Sequence, residues 1–181
     1  MKKTGKILLV ILFILALPFL VALFVNNDYA VEREITINKA RPVVFKFVKH
    51  LKNQDSYNKW VRMDPEMKKD YKGTDGTKGF VYSWDGEEAG KGEQEIRNLI
   101  EGERIDLELR FIKPFESTAS AHLITEALSA DQTRVKWGMK GRSPYPMNFM
   151  NLFMDSMLGK DLETSLSDLK NILEKNELTV K

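Results

Sequence analysis

VEREITINKARPVVFKFVKHLKNQDSYNKW, residues 31–60, carries two periods in succession. Over Val31–Asn38 the side chains alternate. Val31, Arg33, Ile35 and Ile37 fall on one face and Glu32, Glu34, Thr36 and Asn38 on the other, the period of a strand. Pro42 then suits a first helical turn, and Val44, Phe47, Val48 and Leu51 follow at helical spacing. Asn53–Asp64, holding Tyr57 and Trp60, reads as a short broken helix or loop.

Beyond this stretch the period of two returns. Strands are predicted over Met67–Lys72, Gly79–Trp84, Gly92–Ile100, Arg104–Lys113, Thr118–Glu126 and Gln132–Met139, separated by turn residues such as Asp85-Gly86, Glu101-Gly102 and Ser129-Ala130-Asp131. Arg104–Lys113 is the cleanest: Ile105, Leu107, Leu109 and Phe111 face one way, Asp106, Glu108 and Arg110 the other, as in an antiparallel strand with one wet face. After Pro146, apolar residues recur every three or four positions from Met147 to about Lys175, which predicts one long helix. A seven-stranded antiparallel sheet with one wet face must cover the other, and this helix is the only large element available to do so. The expected class is α+β, a single sheet curved around a C-terminal helix.

Residues 31–60 resemble the strand, Asn-x-x-x-Pro, helix, Trp opening of the SRPBCC superfamily, the START-like or polyketide cyclase/dehydrase group of helix-grip domains. MDPEMKKDYKG (63–73), YSWDG (82–86) with GKGEQEI (90–96), RFIKPFESTAS (110–120) and NLFMDSMLGKDLETSLSDLK (151–170) resemble small, membrane-anchored bacterial members of that group. The resemblance spans about Tyr29 to Glu174. It implies a deep apolar cavity between sheet and final helix that holds a hydrophobic or lipid-like molecule. The superfamily also includes cyclases and carriers, so the fold by itself does not select an activity.

Ahead of this domain, Ile7–Val25 (ILLVILFILALPFLVALFV) runs nineteen residues without a charge or amide. As a helix it would span ~28 Å, the thickness of a bilayer core. The run exceeds the apolar core of an export signal and lacks a small-x-small cleavage site at its exit, so it reads as a retained anchor. The expected organisation is a basic segment (1–6), a transmembrane anchor (7–25), a linker (26–30), the domain (31–175) and a tail (176–181). Lys2, Lys3 and Lys6 precede the run, while Arg33 and Lys39 beyond it are matched by Asp28, Glu32 and Glu34. Positive residues stay inside, so a single-pass protein with a cytoplasmic N-terminus and an extracytoplasmic domain is expected.

Three of the 28 Lys and Arg residues lie before the anchor, so the domain holds 25 against 26 acids, a formal −1. Interspersed charge of this balance argues against nucleic acid as a partner. The absence of cysteine removes disulfides, thiol nucleophiles and zinc-thiolate sites. His122 should point to solvent beside Ser120, and His50 ends a helix where a cation suits the dipole. No metal site or cofactor is therefore expected, and no Ser-His-acid set, phosphate loop or dinucleotide motif occurs. The stripe Met147, Met150, Met154, Met157 reads as core or cavity lining rather than a Cu(I) site. The acidic loops Asp70–Asp75 and Asp85–Glu88 match no calcium loop.

The candidate cavity wall is Trp60, Phe80, Tyr82, Trp84, Gln94, Ile96, Leu107, Leu109, Phe111, Leu123 and Trp137, facing Phe149, Met150, Phe153, Met154 and Met157. Gln94, Asn98, Tyr82 and Tyr57 are the polar groups able to reach it. Three readings follow: a tethered binder of a hydrophobic or lipid-like molecule, a cyclase/dehydrase-like enzyme using the same cavity, or an interaction or stress-response module without a ligand. An enzyme requires at least two titratable groups converging in the cavity; a carrier requires almost none. No pair of residues is forced together by the sequence, so no catalytic residue is assigned.

Overall fold

A computed structural model describes residues 2–175. Met1 and the expected tail at 176–181 lie outside the described residues. The chain runs α1 (Lys2–Ala22), β1 (Asp28–Ile37), α2 (Arg41–Val48), a 3-10 turn (Leu51–Asn53), α3 (Gln54–Tyr57) and α4 (Lys59–Arg62). It continues with β2 (Lys68–Lys72), β3 (Val81–Asp85), β4 (Lys91–Ile100), β5 (Arg104–Lys113), β6 (Ser117–Ala127) and β7 (Thr133–Arg142), then a 3-10 turn (Met147–Met150) and α5 (Asn151–Lys175). β1 takes in Asp28, Tyr29 and Ala30, three residues of the expected linker, because their backbone pairs with Arg142, Gly141 and Lys140.

The strands form one antiparallel sheet in the order β1-β7-β6-β5-β4-β3-β2. β2 to β7 follow one another as a meander, and β1 closes the far edge beside β7. Alternation along each strand sets the inner face, and the pairing stacks it in rows across the sheet. One row is Arg33, Trp137, Leu123, Ile105 and Leu99. The next is Val31, Met139, Ala121, Leu107 and Ile96.

α5 lies across this inner face. Leu158, Leu162, Leu166, Leu169 and Leu173 are buried on one stripe, against a core that includes Ile37, Phe45, Val48, Ile105, Leu123 and Val135. Its flanks are pinned to both neighbours. Lys170 Nζ donates to the Thr36 carbonyl (2.8 Å), and the Asn38 N–H donates to Glu174 (2.7 Å). On the other side Lys59 pairs with Asp161 and Arg62 with Asp168.

The predicted final helix is thus two elements. Phe149 and Met150 lie in the 3-10 turn, and the α-helix begins only at Asn151.

Candidate functional site

The core is solid at one end of the sheet and hollow at the other. At the closed end β6 and β7 present Leu123, Thr125 and Val135, all fully or almost fully buried. Toward the start of β1 the small side chain of Ala121 leaves space beneath α5 unfilled, while the Tyr29 ring covers Gly141. A cavity of about 230 Å³ results. The sheet supplies Tyr29, Tyr82, Trp84, Gln94, Leu107, Leu109, Phe111, Ala121, Trp137 and Met139 to its wall. The short helices supply Asn58, Trp60 and Val61, α5 supplies Met154 and Leu158, and Met67 and Ala89 complete it.

Nine of the residues named from the sequence line this space: Trp60, Tyr82, Trp84, Gln94, Leu107, Leu109, Phe111, Trp137 and Met154. The other seven do not. Phe80, Ile96 and Leu123 are wholly buried in the solid core. Phe149 and Met150 sit on the 3-10 turn, outside the wall. Phe153 and Met157 are 50% and 58% exposed, on the outer flank of α5. The reason is angular: at 100° per residue the buried stripe through Met154, Leu158 and Leu162 leaves positions 153 and 157 turned away from the sheet. The spacings of three and four that join Met150, Met154 and Met157 mix two faces.

Among the polar candidates, Gln94 is held from inside. Its amide donates to Gln54 Oε1 (2.9 Å), and Asn58 Nδ2 donates to the same oxygen (3.0 Å). Asn58 also accepts the Trp60 N–H (3.0 Å), which starts α4 and sets the Trp60 ring against the Trp137 ring at 84°. Tyr82 donates to Asp55 (3.1 Å), whose other oxygen pairs with Lys69. Burial, and then the Asp55 charge, push the Tyr82 phenol well above the usual tyrosine range. Burial likewise raises Tyr29 and Tyr57.

Asn98 does not reach the cavity. A bulge between Ile96 and Asn98 turns it to the outer face, where it donates to Asp106. Tyr57 is fully buried behind the wall, packed on Phe47 and Trp137. His122 lies on the outer face beside Glu32 (2.6 Å), and His50 lies near Asp75 (3.6 Å).

Two features carried no sequence signal. Asp64, buried, accepts the N–H groups of Glu88 (3.0 Å) and Ala89 (3.1 Å), and so holds the β3–β4 loop against the cavity. Trp137 is 3% exposed, and its indole N–H has no hydrogen-bond partner. Tyr29 was legible in principle, since it continues the Val31, Arg33, Ile35 alternation by one step.

Among the described residues the wall contains no carboxylate, imidazole, amine or guanidinium. Its titratable groups are Tyr29 and Tyr82, both shifted away from ionisation at neutral pH.

The fold can be placed among solved structures. Norcoclaurine synthase from Thalictrum flavum, in complex with dopamine and hydroxybenzaldehyde, superimposes with a TM-score of 0.63 at 7% identity, covering 82% of this chain and 87% of that one. XoxI from Bacillus cereus gives 0.61 at 11% identity (82% and 98% covered). A protein from Nitrosospira multiformis gives 0.56 at 16% identity (78% and 93% covered). This is the Bet v 1-like helix-grip fold. At these identities the likeness shows the fold alone. No protein-family model matches the sequence, and no curated protein matches it. Within the helix-grip frame the cavity occupies the space between the sheet and the first turns of the gripped helix.

Proposed function

We propose that this helix-grip protein is a membrane-tethered binding protein for a neutral, mainly apolar small molecule. The observation that carries this reading is a hollow of about 230 Å³ whose wall is almost wholly apolar and aromatic, with the Gln94 and Asn58 amides already engaged by Gln54. A dry cavity of about 150 Å³ holds benzene, so this one suits a molecule of one or two rings, or a short chain, rather than a diacyl lipid. The Thalictrum enzyme, in complex with two one-ring compounds, is consistent with that size class.

The lining supports binding over cyclase-type catalysis, since two tyrosines with raised pKa values form no acid–base pair near neutrality. Tethering is supported by α1, whose residues Gly5–Ala22 are apolar and long enough to cross a bilayer. Lysines 2, 3 and 6, at the amino end of α1, support an extracytoplasmic domain.

The three tryptophans of the chain, Trp60, Trp84 and Trp137, all line the cavity, so intrinsic fluorescence is a direct reporter. Native mass spectrometry of detergent-extracted protein should show a small co-purified adduct, and its displacement by a bicyclic ketone should change tryptophan emission. Absence of any adduct, together with unchanged emission across a panel of neutral one- and two-ring carbonyl compounds, would overturn the proposal. A reporter fused at Lys181 should be active only outside the cytoplasm.

A further inference from the structure

α1 is clasped to the domain rather than hung from a slack linker. Asn148 Nδ2 donates to the carbonyls of Ala22 (2.7 Å) and Val25 (2.8 Å). Asn151 Nδ2 donates to Asn26 (2.9 Å) and Asn27 (3.0 Å), and the Ser143 N–H also reaches Asn27 (2.8 Å). These donors satisfy carbonyls that a helix end leaves unpaired, and they fix where the helix departs. Ala22 is 2% exposed on an otherwise bare helix.

The departure point is the end of the sheet where β1 begins, and the strand register shows what shares that end. Asp28 pairs with Arg142, Phe111 with Ser117 and Lys91 with Lys113, so the β5–β6 turn lies there too. This turn carries Phe115, 73% exposed, with Ile112 exposed beside it. The first turns of α5, adjoining the Asn148 and Asn151 clasp, expose Leu152, Phe153 and Met157. The hollow half of the core is at the same end, where its partly exposed wall residues Tyr29, Phe111 and Met154 form the rim.

We propose that this end of the domain is a membrane-contact surface. Phe115 and the outer flank of α5 (Leu152, Phe153, Met157) rest in the interfacial layer of the bilayer that α1 crosses, and the cavity rim faces lipid rather than bulk water. An exposed apolar patch of this kind marks a contact site, and aromatic residues are favoured at the membrane–water boundary. Continuity with α1 selects the occupant: a helix that ends at residue 22 and is clasped by residues 148 and 151 brings residues 152 and 153 to the bilayer surface with it. The inference rests on the proposed membrane insertion of α1 and is independent of the ligand.

The chain contains no cysteine, so single-cysteine variants of the full-length protein can be labelled cleanly. Phe13→Cys, Phe115→Cys, Phe153→Cys and Leu128→Cys would each carry an environment-sensitive fluorophore. Leu128 is an exposed apolar residue at the opposite end of the sheet, after β6. The proteins are placed in nanodiscs of phosphatidylcholine and phosphatidylglycerol, with or without lipid spin-labelled near the headgroup, or at mid-chain for the variant at 13. The expected result is blue-shifted emission at 115 and 153, with at least twofold greater quenching than at 128. Quenching at 13 without quenching at 115 and 153 would overturn this proposal and leave the anchor intact. No quenching at 13 would remove the anchor, and this proposal with it. A blue shift at 153 without lipid quenching would mean that another protein surface covers the patch, and would also overturn it.

Discussion

The guanidinium of Arg33 on β1 lies directly over Gly159 in the middle of α5, in the space that a Cβ at that position would occupy. Its nitrogens are fully engaged there: Nε with Glu163 (2.7 Å), Nη1 with Asp155 Oδ1 (2.9 Å) and Nη2 with Asp155 Oδ2 (3.1 Å) and the Asp155 carbonyl (3.0 Å). A glycine in mid-helix allows the sheet edge and helix to approach, and the bidentate pair fixes their register.

Helix propensity alone would make Gly159→Ala stabilising by about 1 kcal/mol. The reverse is expected, because the methyl group displaces a guanidinium that cannot move without losing its partners. A loss of about 1–3 kcal/mol should appear as a lower urea midpoint. Gly159→Ala combined with Arg33→Ala should be less destabilising than the sum of the single changes.

Acid should weaken the fold through the same pair. Arg33 holds the Asp155 carboxyl below its ordinary 3.8, and Arg97 and Arg110 hold Glu95 below 4.5. A depressed folded-state pKa contributes stability that is present above the ordinary value and is lost as pH falls through the folded-state value. Urea midpoints should therefore be flat near pH 6 and fall progressively below pH ~4.5. Asp155→Asn should lower the midpoint near neutrality and shallow the acid-side decline.

Filling the hollow should separate stability from binding. Ala121→Leu places a side chain in unoccupied space, and cavity filling of this kind commonly adds about 0.5–2 kcal/mol. The variant should melt higher while its tryptophan emission no longer responds to compounds that bind the parent. A lower melting temperature with the response retained would mean that the space beside Ala121 is not the binding site.

The buried amide chain should behave as a unit. Gln54→Leu strands Gln94 and Asn58 and should cost about 1–3 kcal/mol, whereas Gln54→Leu with Gln94→Leu should recover part of that loss. Thermal denaturation of the two singles and the double closes the cycle.

Asp64→Ala frees the N–H groups of Glu88 and Ala89 and should destabilise by about 1–3 kcal/mol. Hydrogen exchange should rise locally over residues 86–90, with little change in β5 to β7.

The sheet was legible because its signal is local. A period of two assigns each residue of Arg104–Lys113 to a face before any partner strand is known, and the observed strand has those bounds. The same logic set Gln94 inward and His122 outward. It failed at Asn98, where one extra residue in a bulge reverses the faces, and at Phe153 and Met157, which lie off the buried stripe of α5 although spacings of three and four join them to their neighbours. Nothing in sequence separates a leucine stripe in a solid core from one beside a void.

By itself, then, the sequence determined the order of elements, the two-faced sheet with its one long covering helix, and the apolar run ahead of them, because periodicity and hydropathy are properties of neighbouring residues. Tertiary structure alone decided where the core is hollow, which depends on Ala121 lying beneath α5 among the larger side chains of Trp84, Phe111 and Trp137. It also decided that Asn148 and Asn151 hold the end of α1, more than 120 residues away in the chain. Both are outcomes of volume and hydrogen-bond pairing between distant segments, which no local period records.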